Sequence, residues 1–195
     1  MANLGNRSPV TSVSRTGPLR RFALGILLGA CALGALGQET PTEYDVKAAY
    51  LFNFAKFLEW PAEAFAGRQA PLTLCIAGRD PFGAALAAYD RRTVQSRELR
   101  LRHGVTLEGL SGCHMLFVAD SEERQLRRIL RAALELPIVT VSDIEGFADA
   151  GGVIGLVTGE KRVQFEVNLA SAQQARVKVS SQLLRIARNT RGRFQ

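Results

Sequence analysis

The chain has 195 residues, 47% of them hydrophobic and 22% charged, with 25 lysines and arginines against 18 acidic residues and a net charge of +7. That length fits one domain with short extensions. Arg7, Arg15, Arg20 and Arg21 precede every acidic residue, so without residues 1–37 the balance is 21 basic to 18 acidic, or +3, too mild an excess to call for a nucleic-acid partner.

The four arginines are followed by an uncharged apolar run, "FALGILLGACALGALG" (Phe22–Gly37), ending in small residues. A basic start, a short apolar stretch and a small-residue end make a secretory signal peptide, too short for a stable membrane span. Residues 1–37 are therefore expected to direct export to the periplasm. "LLGAC" (Leu27–Cys31) resembles a lipoprotein acylation site, but the apolar run continues past Cys31 and favours plain cleavage. Residues 38–43 read as a linker. Once Cys31 leaves with the leader, Cys75 and Cys113 remain. In an oxidising compartment two cysteines suggest one disulfide, and two buried free thiols are the alternative.

Residues 45–59 are expected to form a helix with Val46, Ala49, Tyr50, Phe54, Phe57 and Leu58 on its packed stripe, stopped by Trp60-Pro61. Leu51, Phe52 and part of Trp60 lie off that stripe. Six of the chain's fourteen aromatics fall between Tyr44 and Pro61, more than one face needs. The second face meets either a partner or another segment of the same domain.

"PLTLCIAG" (Pro71–Gly78) reads as a buried strand, followed by a helix with Asp80 as cap and Pro81 in its first turn. "RELRLRHGV" (Arg97–Val105) alternates as a strand with one wet face, and "CHMLFVAD" (Cys113–Asp120) is a second buried strand. Leu126, Ile129, Leu130, Ala133 and Leu134 mark a clean amphipathic helix, with Asp120 and Glu123 at capping-box spacing. "PIVTVSD" (Pro137–Asp143) is a further strand. Val153–Leu169 reads as a hairpin turning at Thr158–Lys161, with Val163, Phe165 and Val167 on one face and Arg162, Gln164, Glu166 and Asn168 on the other. Asn168 is expected to cap the next helix, a serine the last one, and residues 189–195 to fray. The order implies an α/β sandwich: a mixed, largely parallel central sheet flanked by helices, Rossmann-like, with an antiparallel edge hairpin.

Signals of chemistry are sparse. Cys75, Cys113 and His114 could offer three metal ligands, but the usual spacing is missing and a disulfide would consume two of them. "GRDPFG" lacks the G-x-G-x-x-G pattern, and Ser180-Ser181 suit an N-cap better than a nucleophile. Arg91, Arg92, Arg97, Arg100 and Arg102 read as a solvated face, or as one meeting anionic lipid or an acidic partner. With no acid, base or nucleophile in a recognisable arrangement, no enzyme, cofactor or metal is expected.

Six blocks in order, "VKAAYLFNFAKFLEWP", "LCIAGRDPFG", "CHMLFVAD", "PIVTVSDIEGFADAGGVIGL", "VQFEVNL" and "SSQLLRIAR", resemble the YfiR-like proteins over residues 44–188. That resemblance implies a periplasmic regulator that binds the periplasmic sensor domain of an inner-membrane diguanylate cyclase and represses it. Cyclic di-GMP and biofilm formation then fall. An OmpA-like outer-membrane lipoprotein can sequester such a regulator, and members form homodimers and depend on disulfides. Cys75 and Cys113 match the cysteines of the two strand motifs. A second pair found in the founding members near the GG-x-I segment is missing at Gly151–Gly155. Phe52, Trp60, Ile154, Arg162, Gln164 and Glu166 are the candidates for a partner or dimer interface, with Glu166 first because it matches the glutamate of the family's F-E-x-N motif. The alternative function is small-ligand binding at the strands' carboxyl ends, at Gly78–Asp80, Ala119-Asp120 and Ser142-Asp143.

Overall fold

The computed structural model describes residues 40–159 and 162–192. The expected leader, Glu160 and Lys161 of the hairpin turn, and residues 193–195 lie outside the described residues.

The first helix, α1, runs Glu43–Phe57. The Thr42 hydroxyl accepts from the Asp45 N–H at 3.2 Å and the Asp45 carboxylate accepts from the Thr42 N–H at 2.7 Å, a reciprocal capping box. Short strand β1 (Leu58–Glu59) follows, then β2 (Leu72–Ala77), every residue of which is buried. Helix α2 is only Ala84–Ala87. Asp80 and Pro81 do not start it, because the Asp80 carboxylate accepts from the Phe82 N–H at 2.8 Å and closes a turn ahead of it. Strands β3 (Thr93–Val94), β4 (Arg97–Arg102) and β5 (Met115–Val118) come next.

Residues Asp120–Gln125 form a 3₁₀ turn that leads into α3 (Leu126–Ala133). The expected capping box at Asp120 and Glu123 is absent: Ala119 holds the capping position with no side-chain bond. Beyond α3 lie β6 (Val139–Ser142), β7 (Ile154–Thr158), β8 (Val163–Asn168), α4 (Leu169–Gln174), β9 (Lys178–Val179), α5 (Ser181–Ile186) and β10 (Asn189–Arg191). The side chains of Asn168 and Ser180 cap α4 and α5 as the sequence suggests.

The main sheet has the order β10-β8-β7-β6-β5-β2-β4-β3. Its core, β4-β2-β5-β6-β7, is parallel throughout, and β8 runs antiparallel to β7. Uninterrupted apolar runs suit this arrangement because both faces are covered. Leu72, Leu74, Ile76, Met115, Phe117, Val139 and Val141 belong to the core that α1 closes. Cys75, Ala77, Leu116 and Val118 belong to the opposite core, with Ile129 and Leu130 of α3. Gly152 ends the turn before β7 because a Cβ there would overlap the Phe147 ring.

Two expectations change. Strand β8 is not the edge: β10 pairs parallel to it, Thr190 opposite Val167, so Asn189–Arg191 is a strand where a frayed tail was expected. The packed face of α1 is also rotated. Lys47, Ala48, Leu51, Phe54 and Ala55 are the buried residues, so Leu51 is core. Glu43, Asp45, Lys47, Asn53 and Lys56 do not mark one outer side, since Lys47 is itself buried, and the neighbours decide which side turns inward.

Candidate docking cleft at the strand ends

The amino half of α1 crosses the carboxyl ends of β5 and β6 and closes one wall of a cleft of about 510 Å³. Glu43, Tyr44 and Lys47 form that wall, and the Ile144–Ala148 turn, Gly155–Thr158 of β7 and Glu166 form the rest. The lining carries five carboxylates, those of Glu43, Asp120, Asp143, Glu145 and Glu166, against the single ammonium of Lys47.

Lys47 is 3% exposed. Its ammonium bonds Asp143 at 2.5 Å and Glu43 at 2.5 Å. Tyr44 donates its hydroxyl to Asp143 at 3.2 Å, and Thr158 donates to Glu43 at 2.7 Å. Burial alone would lower the Lys47 pKa, but the hydrogen bonds to Asp143 and Glu43 outweigh it and hold it above the ordinary value. Hydrogen bonds from Lys47 and then Thr158 hold the Glu43 carboxyl below its ordinary value. The network is charged, paired, and links α1, the residue after β6, and β7. Nothing in the sequence pattern marks Lys47, since its partner Asp143 lies 96 positions away.

Of the proposed interface residues, Glu166 lines this cleft, Gln164 shares its face of β8, and Arg162 lies just before that strand. Arg162 is exposed and Gln164 half-buried. The Glu166 carboxylate accepts from the Arg191 guanidinium at 3.3 Å and is 17% exposed. Arg191 also pairs with Asp149, so Glu166 anchors β10 as well as facing the cleft.

The other three candidates lie elsewhere. Ile154 is fully buried in the α1-side core and cannot present its side chain to a partner; its β-branched side chain belongs to a sheet position covered on both faces. Phe52 is half-buried and stacks on Tyr89, ring centroids 4.7 Å apart, so a neighbouring segment of the same domain takes part of its face. Trp60 is half-buried at the opposite end of the sheet, donating its indole N–H to the His114 carbonyl at 3.0 Å.

His114 sits 4% exposed beneath Phe65, the rings 4.3 Å apart, and its Nδ1 accepts from the Thr73 N–H at 3.0 Å. Burial pushes its pKa down to about 4, so the imidazole is neutral, as an Nδ1 acceptor must be. Arg97 lies over the other side of Phe65, 3.6 Å from its centroid.

Cys75 and Cys113 are joined in a disulfide spanning 38 positions. The Arg102 guanidinium donates to the carbonyls of Gly109 and Ser111, both at 3.0 Å, and fixes the loop that delivers Cys113 to β2. Arg97 and Arg102, read from sequence as parts of a solvated stripe, thus serve internal contacts. Among the described residues no group of three or more His, Cys, Asp and Glu side chains could hold a metal ion.

A second cleft, about 410 Å³, opens where β2 and β4 end, between Gly78, the Val105–Glu108 segment and Ile129. Both clefts lie at the carboxyl edge of the parallel strands, where open α/β sheets hold their ligands.

A family model described as YfiR/HmsC-like matches residues 44–188, from α1 through α5. The chain belongs to the YfiR/HmsC-like family. Proteins of this family are periplasmic regulators in diguanylate cyclase signalling. Among solved structures, the chain is similar to a conserved domain protein from Vibrio cholerae O1 biovar El Tor, with a TM-score of 0.51 at 7% identity. The likeness covers 76% of this chain and 60% of that one, and at this identity it concerns the fold. No helix among the described residues of this YfiR/HmsC-like chain is long and apolar enough to cross a membrane.

Proposed function

We propose that the protein is exported to the periplasm, binds the periplasmic sensor domain of an inner-membrane diguanylate cyclase as a homodimer, and represses it. An OmpA-like outer-membrane lipoprotein is the partner that competes for it. The observation that carries this reading is the YfiR/HmsC-like match across residues 44–188. The strand-end cleft supports it with a surface: Glu166, with Gln164 two positions away on the same face of β8, borders a concave, acidic wall. The test is co-purification of the tagged protein with the cyclase from detergent-solubilised inner membranes. Recovery of the cyclase with the wild type and its loss with Glu166→Lys supports the reading. Absence of any cyclase in the wild-type eluate overturns it.

A second reading, small-ligand binding, rests on one observation: clefts of about 410 and 510 Å³ at the carboxyl edge of the sheet. Volumes of that order suit small molecules. The two readings are compatible if a ligand tunes repression.

A further inference from the structure

Two sets of arginines stand out among the described residues. Arg97, Arg102 and Arg191 hold loops, rings or carboxylates within the fold. Arg124, Arg127, Arg128 and Arg131 recur at i, i+3, i+4 and i+7 along α3 and the turn before it, are all exposed, and make no ion pair among the described residues. Glu122, Glu123 and Glu135 lie nearby in sequence but form no ion pair with them.

Beside that row lies a groove of about 260 Å³ between α3 and α4. Arg127, Leu130, Arg131 and Leu134, again at i, i+3, i+4 and i+7, make one wall, and Ser171 and Gln174 of α4 the other. No carboxylate lines it. Leu134 is 44% exposed at its lip, one of two large apolar side chains so exposed among the described residues. A slot with two leucines in one wall and guanidinium groups at its edge complements an aliphatic side chain flanked by carboxylates. Guanidinium groups pair with carboxylates through two parallel hydrogen bonds, and arginine is enriched where proteins meet.

We propose that the α3–α4 groove docks an acidic protein segment carrying an aliphatic anchor, with Leu130 and Leu134 receiving the anchor and Arg127 and Arg131 its flanking carboxylates. This deepens the regulatory reading by assigning the groove to the regulator's protein partner, and it is tested in two arms so that each can fail alone.

In the first arm, the purified protein is titrated into a fluorescent peptide of alternating glutamate and leucine, and into the same peptide with lysine for glutamate. The glutamate peptide binds and the lysine peptide does not. Arg127→Glu/Arg131→Glu weakens binding at least about tenfold, the loss expected for charge-assisted pairs. Leu134→Ser weakens it with unchanged salt dependence. Circular dichroism confirms that both variants fold, as exposed substitutions should. Equal affinity of the double variant, or no binding of the glutamate peptide, overturns the proposal whatever the cyclase does.

In the second arm, cyclic di-GMP is measured in cells. A rise on gene deletion together with full repression by the double variant also overturns the groove. A rise in both supports it.

Discussion

Lys47 ties three elements together through two carboxylates, and its buried ammonium makes the cost of losing a partner large. Removing one member of a buried pair leaves the other charged and unpaired, at about 3–5 kcal/mol. Lys47→Met should therefore destabilise the protein by about 3 kcal/mol in urea unfolding, because Asp143 keeps only the Tyr44 hydroxyl. Lys47→Met/Asp143→Leu should recover most of that loss, since the apolar pair leaves no orphaned charge. A double variant as unstable as the single one would show that Asp143 is not the group made costly. At the other end of the sheet, His114 has a folded pKa of about 4 against 6.5 for the free side chain. The unfolded chain takes up a proton at His114 first as pH falls below 6.5. Stability from this site is thus complete above pH 6.5 and drains away toward pH 4, by about 3 kcal/mol at most. His114→Phe keeps a ring against Phe65 but gives up the acceptor for the Thr73 N–H. It should be less stable at neutral pH and show a shallower pH slope across that window. An unchanged slope would mean that His114 titrates normally.

At the scale of elements, five of the six aromatics of the α1 region make ring contacts in several directions. Tyr50 and Phe54 pack on Phe165 of β8, Tyr44 meets Phe82, Phe52 stacks on Tyr89, and Trp60 lies edge-on to His114. The helix is a hub between sheet and loops, so the excess over one face has a packing cause. Strands β2, β5 and β6 were legible as apolar runs, and β8 as strict alternation. The facing of α1 was not legible, because its polar positions do not all mark an outer side: Lys47 is among the buried residues. Strand β10 was hidden for a different reason: Asn189-Thr190-Arg191 carries no apolar signal, and Arg191 is held by Glu166 and Asp149 from distant segments. Of the site, Glu166 was within reach through its motif, while Lys47 was not, since a lysine on a helix reads as solvated until the chain folds Asp143 onto it. The disulfide links the loop before β5 to β2 across 38 positions. Closing a loop of that length stabilises by about 3–4 kcal/mol. Cys75→Ala/Cys113→Ala should lower the melting temperature in oxidising buffer, and reducing agent should do the same to the wild type but not to the variant. A wild type whose melting temperature ignores reductant would exclude a stabilising bridge.

The whole molecule sets two charge patterns on one sandwich. An acidic cleft lies against the Ile144–Ala148 turn, and the arginine-edged groove includes Ala150 and Gly151 just beyond it. Both are walled in part by helices and strands of the sandwich. The parallel core holds them in place, and the family match runs through every element from α1 to α5. The proposed function is that this protein, working from the periplasm, restrains a membrane-bound diguanylate cyclase. The most direct measurement is intracellular cyclic di-GMP in a strain lacking the gene, complemented either with the full chain or with a chain lacking residues 1–37. Cyclic di-GMP should rise on deletion, return to the parental level with the full chain, and stay high with the leaderless one. An unchanged level on deletion, or repression restored by the leaderless chain in the cytoplasm, would contradict the claim.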